Sequence, residues 1–209
     1  MTMSPRPYHS EQRRQAAEAT RERIVAAAHS LLADPAGVSA FTVEAVAGRA
    51  GVARMTVYNQ FGSKAAVLEA LFDWLAVRGG IHGPAGLETA LREPDPLEGV
   101  RTMFRAMARY YSVDRVVKRR VHALAALQPD VAQALVLREE RRRRFIRTLL
   151  ERIAATRTPW TPDRFAELEQ LLFALTSFES FEVLAGPHRS FTEVAPLLGR
   201  SACAILLAE

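Results

Sequence analysis

Cysteine is almost absent from this 209-residue chain. Cys203 stands alone, which excludes an intrachain disulfide and a multi-cysteine metal centre. Its neighbours Ala202, Ala204 and Ile205 make it a small apolar residue of a helix, because a reactive thiol needs a cationic, accessible setting. Lysine is nearly missing too. Lys64 and Lys118 are the only two among 28 basic residues, so arginine supplies almost all the positive charge. No run of about 18 apolar residues could cross a membrane, and no apolar stretch near the start resembles a secretory signal. The expected location is the cytoplasm, with no membrane partner. Enzyme signatures are lacking as well: no G-x-S-x-G, no H-E-x-x-H, no G-x-x-x-x-G-K and no Glu-x-x-His pair. His9, His29, His82, His122 and His188 are scattered without ligand spacing, so no catalytic residue, metal or cofactor is expected.

What is present is a chain with 49% hydrophobic residues, enough to bury one small and one larger core. The net charge of +5 agrees with a polyanionic partner. Residues 1–80 nevertheless hold nine basic against seven acidic side chains, a balance of only +2, so charge alone does not locate a nucleic-acid site.

Residues 42–64, TVEAVAGRAGVARMTVYNQFGSK, carry the most information. Thr42 suits a helix N-cap, and Val43, Val46, Ala47 and Ala50 recur three and four apart on one face. Gly51 then ends the helix, since glycine tolerates the left-handed backbone of a C-terminal turn, and Val52 plugs that turn. A second helix over residues 53–61 points Val57 and Phe61 inward and leaves Arg54, Met55, Thr56, Tyr58 and Asn59 outward. Arginine forks onto guanine, methyl-bearing groups touch thymine, and hydroxyls and amides bond phosphates or base edges. Ser63 caps a third helix to about residue 78, with Lys64 in its first turn, where backbone N–H groups and an ammonium favour a phosphate. Two short amphipathic helices joined by glycine reproduce part of this spacing without any DNA function; the run from Thr56 through Tyr58 and Phe61 to Ser63 and Lys64 argues for DNA.

The arrangement T-V-x-x-V-A-x-x-A-G-V-x-x-x-T-V-Y-x-x-F-x-S-K, preceded by RERIVAAAHSLLAD, resembles the DNA-binding domain of the TetR family of transcriptional regulators over residues 21–75. The C-terminal segments LTSFESFEVLAG and FTEVAPLLGRSACAILL resemble that family's paired dimerisation helices. The resemblance implies an all-α protein, with an N-terminal three-helix helix-turn-helix domain followed by a helical ligand-binding and dimerisation domain. It implies a homodimer on an inverted repeat of double-stranded DNA and a small-molecule effector. It makes residues 53–60 the recognition helix, with Ala53 at its start and Arg54 and Met55 nearest the bases. Thr42, Thr56, Tyr58 and Lys64 are implied to lie on phosphates. Gln60 and Met55 depart from common family residues, so no base preference is carried over.

Residues 1–17, with Arg6, Pro7, Arg13 and Arg14, read as a flexible basic arm. The head is expected over 18–80 and the body over 81–209, parted by the Gly- and Pro-rich stretch GGIHGPAGLETALREPDP. Helices are expected over 96–112, 114–127, 129–156, 162–185 and 191–208. On the first of these, Met103, Phe104, Met107 and Tyr110 form an apolar arc that fits either a ligand pocket or packed core. His122, Arg142, Phe178 and Glu179 are the further candidates for ligand contact. Arg138 and Arg142, and Glu179 and Glu182, fall on apolar arcs, where they either pair with one another or leave one member for a ligand. Consecutive arginines 141–144 point in four directions and cannot form one stripe. Leu168, Leu172, Leu175, Phe181, Leu198, Ala202 and Ile205 are the candidate dimer contacts, because apolar residues occupy more of the last helices than one face needs. A DNA-binding dimer without effector response and an all-helical enzyme remain the alternatives.

Overall fold

The computed structural model describes residues 6–37, 41–82, 86–156 and 160–208. Every regular element among the described residues is helical, as the periodicity predicts. In order these are α1 (Arg6–Ala33), a 3-10 turn (Pro35–Gly37), α2 (Val43–Ala50), α3 (Arg54–Phe61), α4 (Lys64–Arg78) and α5 (Leu87–Arg92). There follow α6 (Pro96–Ser112), α7 (Arg115–Ala125), α8 (Pro129–Ala155), α9 (Pro162–Leu175), α10 (Phe178–Ala185) and α11 (Phe191–Leu207).

Two compact units emerge. One comprises Met1–Trp74 with Val116–Leu135, the other Leu75–Arg115 with Val136–Glu209. The first therefore takes in α7 and the start of α8, which a single cut at residues 80 and 81 assigns to the body. Its core is built from Ile24, Ala28 and Leu32 of α1, Val46 of α2, Val57 of α3, Leu68 and Leu71 of α4, and Val117 and Val121 of α7. A bond from Arg120 Nη1 to the Leu32 carbonyl, 2.7 Å, ties α7 to the end of α1. The arm expected over residues 1–17 is, from Arg6 onward, the first part of α1; residues 1–5 lie outside the described residues. Glu11 to Ala17 are mostly strong helix formers, and the Arg14–Glu11 pair at 2.8 Å adds a side-chain contact one turn apart.

In the second unit α6 packs against α11 and α5, and α11 also meets α9 and α10. Asp95 caps α6 by accepting from the Leu97 N–H at 2.9 Å, and Pro96 supplies a preset first residue. Ser190 and Glu193 form a reciprocal capping box at the start of α11. The helix expected over 162–185 is broken at Thr176. There Ser177 takes an extended backbone and its hydroxyl accepts from the Ser180 N–H, so a new helix begins although the apolar spacing runs on. None of the described helices is long and apolar enough to cross a membrane.

Candidate nucleic-acid interface

The turn between α2 and α3 is set by local chemistry. Thr42 holds an extended backbone, and its hydroxyl accepts from the Ala45 N–H at 3.1 Å. At the other end of α2, Gly51 adopts φ 66°, and the Val52 N–H closes the reversal on the Ala47 carbonyl at 3.0 Å. Ala53 precedes α3 without a side-chain cap, and Val57 is the one fully buried residue of that helix. Arg54, Met55 and Asn59 are exposed, while Thr56, Tyr58 and Gln60 are half-buried. Met55 keeps 66% of its surface open on the outer face of α3, where it can meet another molecule.

A residue not foreseen in the sequence fixes the far end of α3. Arg21 of α1 lies with its guanidinium 4.2 Å from the Phe61 ring centre and donates to the Gln60 carbonyl at 2.9 Å. The cation thus satisfies one of the free carbonyls at the helix C-terminus, where positive charge is favoured.

Two cations stand on the outer face, each beside a carboxylate. Arg54 is 2.8 Å from Glu44 and donates to the Tyr58 hydroxyl at 3.2 Å. The Tyr58 bond first, and the Glu44 charge second, raise the Arg54 pKa further above its ordinary value. Lys64 opens α4, whose first turn is capped by Ser63 Oγ accepting from the Ala66 N–H at 3.1 Å. Its ammonium lies 2.9 Å from Asp130 and donates to Gln128 at 2.7 Å. An open cleft of about 350 Å³ runs between Thr42, Glu44, Tyr58, Ser63, Lys64 and Asp130. The structure thereby brings three of the expected phosphate contacts, Thr42, Tyr58 and Lys64, to one opening. The Thr42 and Tyr58 hydroxyls serve as acceptors within the protein and keep their protons for an outside acceptor such as a phosphate oxygen.

The candidate ligand residues are placed differently. Met103, Phe104, Met107, Tyr110 and Phe178 are buried in the second unit. They belong to a packed aromatic core in which Tyr111 meets Phe178 and Phe181 edge-on at 5.5 and 5.4 Å and Phe104 meets Phe181 at 6.4 Å. Burial pushes the Tyr111 phenol well up from its ordinary value, and its hydroxyl donates to the Thr176 carbonyl at 3.0 Å. Arg142 remains half-exposed, stacks 4.1 Å from the Phe173 ring centre and donates to the Tyr111 hydroxyl at 3.4 Å. Glu179 is exposed, and His122 lies on α7 in the first unit.

The body also holds charged pairs outside the set expected among Arg138, Arg142, Glu179 and Glu182. A buried carboxylate, Glu169, accepts from Arg147 at 2.8 Å and from Arg143 at 3.3 Å. Arg115 pairs with Glu182 and packs 4.6 Å from the Phe191 ring centre. Arg138 lies 5.9 Å from the Tyr110 ring centre. Of the arginine run 141–144, Arg142 and Arg143 both lie 4.1 Å from the Phe173 ring centre, while Arg141 and Arg144 are exposed.

Among the candidate dimer contacts, Leu168, Leu172, Phe181, Leu198 and Ala202 are covered by their own chain, and Leu175 and Ile205 are half-buried. The exposed apolar residues on these helices are others: Leu171, Val183, Leu197 and Leu207. Helices apolar on two faces spend one of them on the chain's own core. No group of three or more His, Cys, Asp or Glu able to hold a metal ion occurs among the described residues.

Residues 24–71 match the model of bacterial regulatory proteins of the tetR family. Among curated proteins none matches the chain. Solved structures share the fold along nearly the whole length. Bacillus subtilis FadR, in complex with stearoyl-CoA, is 14% identical with a TM-score of 0.65, covering 88% of this chain and 97% of that one. Salmonella enterica GusR is 20% identical with a TM-score of 0.62, covering 90% and 93%. A TetR-like transcriptional regulator from Rhodococcus sp. is 20% identical with a TM-score of 0.60, covering 91% and 97%.

Proposed function

The chain is a TetR-family DNA-binding transcriptional regulator by its N-terminal domain, and on that premise we propose that it is a repressor, a homodimer on an inverted repeat that a small-molecule effector releases. Residues 18–80 act as reading head and residues 81–209 as effector-binding and dimerisation body. Arg54 and Met55, flanked by Ala53 and Asn59, face base edges, while Thr42, Thr56, Tyr58 and Lys64 hold the backbone. The observation that carries this reading is the outer face of α3. It presents an exposed Met55 and Arg54 next to a cleft in which two hydroxyls and an ammonium converge. Such a surface has little to do in a protein without a partner and suits a groove flanked by phosphates.

A second copy of the chain is the natural cover for Leu171, Val183, Leu197 and Leu207, and twofold symmetry then pairs two heads with two half-sites. Release is a population shift: a ligand that prefers the spacing unfit for DNA lowers operator affinity by its preference between the two states. Arg142 and Glu179 are the polar anchors of choice for that ligand, since both keep exposed surface beside the aromatic core. The packing of Met103, Phe104, Met107, Tyr110 and Phe178 favours a second reading, a constitutive DNA-binding dimer without effector response.

Selection of bound sequences from a random duplex pool, at two salt concentrations to strip phosphate-driven background, is the deciding experiment. An inverted repeat is expected. A folded protein that enriches no sequence overturns the reading. With the repeat in hand, compounds that weaken its binding, stearoyl-CoA among those tried, separate an inducible repressor from a constitutive one.

A further inference from the structure

The first compact unit carries, at the start of α8, a carboxylate beside the residues assigned to the DNA backbone. Lys64 is the first residue of α4. A cation there opposes the helix dipole, whose N-terminal end is already partly positive, so the position is favourable only in company with an anion. In this structure the anion is Asp130. Its Oδ1 accepts from the Val131 N–H at 3.0 Å, which leaves Oδ2 turned to the Lys64 ammonium at 2.9 Å. Gln128 Oε1 holds the same ammonium at 2.7 Å. Lys64 is 16% exposed and Asp130 51%, so the acid occupies the outer side of the pair and lines the open cleft with Thr42, Tyr58 and Ser63.

Resting on the DNA-binding reading above, we propose that Asp130 sets the affinity of the head by competing with the DNA backbone for Lys64. A phosphate and a carboxylate cannot share one ammonium without repelling each other across a few ångströms. Each DNA complex therefore breaks the Lys64–Asp130 pair, and the strength of that pair is subtracted from binding. The effect is uniform across sequences, because a lysine on a phosphate reads no base. The Arg54–Glu44 pair differs in setting: its side chains are 60% and 57% exposed, so solvent screens most of what it could withhold.

The test uses the full chain and a labelled duplex of random sequence at low salt, about 50 mM. Asp130→Asn keeps an acceptor for the Val131 N–H and removes only the charge. It is expected to bind about three- to fivefold tighter than the parent, the scale of one partly shielded ion pair. Lys64→Ala is expected to bind more weakly, and adding Asp130→Asn to it to change affinity less than about twofold. Gln128→Ala, which alters no charge, is expected to tighten binding by about twofold through the same ammonium. An Asp130→Asn protein that binds no tighter, or gains as much in the absence of Lys64, overturns the proposal while the parent still binds DNA. A parent chain that retains no duplex at low salt overturns the DNA reading itself, and this proposal with it.

Discussion

Replacing Gly99 by alanine measures how closely α5 and α6 approach. A Cβ at Gly99 would stand 2.5 Å from the Ala90 carbonyl oxygen and 3.1 Å from Leu149 Cδ1. The first neighbour is backbone and cannot swing aside. Since ordinary carbon–oxygen contacts begin at about 3.3 Å, α5 must retreat by about 0.8 Å. That retreat also loosens Arg152, which donates to the Ala90 and Glu93 carbonyls at 3.4 and 2.8 Å. Overpacking of this kind costs about 1–3 kcal/mol. Alanine returns about 0.5–1 kcal/mol through its better helix propensity. The net expectation is a loss of about 1–2 kcal/mol, read as a lower urea midpoint by far-ultraviolet circular dichroism. Two controls set the sign. A Cβ at Gly199 meets nothing nearer than 3.5 Å, and one at Gly48 meets nothing within 4 Å, so alanine at either is expected to stabilise by about 0.5 kcal/mol. A Gly99→Ala protein as stable as the Gly199→Ala one would refute the reasoning, because the close approach would then cost nothing.

Removing Arg147 strips the buried Glu169 carboxylate of its two shortest bonds, so Arg147→Ala is expected to cost about 1–3 kcal/mol, and adding Glu169→Gln to recover part of it. No recovery in the double variant argues against a charge penalty. Cys203 is 4% exposed and burial raises its thiol pKa, so alkylation in native buffer is expected to track unfolding, and prompt labelling contradicts its place in the core. The Arg105 hydrogen bond, with Arg101 beside it, holds Glu98 below its ordinary value of 4.5. Its stabilisation is therefore complete above that value and lost as pH falls through the lowered one. Glu98→Gln is thus expected to lower Tm at pH 7 and to converge with the parent in acid; a gap constant with pH counts against the pairing. In the proposed complex Arg54→Ala relaxes preference at its base pairs by about 1–3 kcal/mol, whereas Tyr58→Phe weakens all sequences alike, and an unchanged selected motif after Arg54→Ala removes that residue from the bases.

The head was legible because its determinants act over a few residues. Thr42, Gly51, Val57 and Ser63 each settle a cap, a reversal or a buried anchor within one or two helical turns, and the structure shows each in that role. Helix class followed from apolar spacing in the same way, with exceptions at either end of the chain. Residues 6–17 begin α1, with Pro7 in the first turn where no N–H is needed, and Ser177 starts a new helix by a single side-chain cap that periodicity does not register.

Residue pattern by itself determined that the chain is all helical, where the helices on either side of Gly51 begin and end, and that its last helices have apolar surface beyond the need of one face. Tertiary structure decided which of those faces is spent on the chain's own core. It buried Leu168, Leu172, Phe181, Leu198 and Ala202 and left Leu171, Val183 and Leu197 outside. It also decided long-range partners: Arg21 for Gln60, Asp130 for Lys64, and Glu169 for Arg143 and Arg147. The reason is rotational. One residue along a helix turns a side chain by about 100°, so spacing places residues on a shared face, while the face that meets a given neighbour depends on how two helices settle against each other.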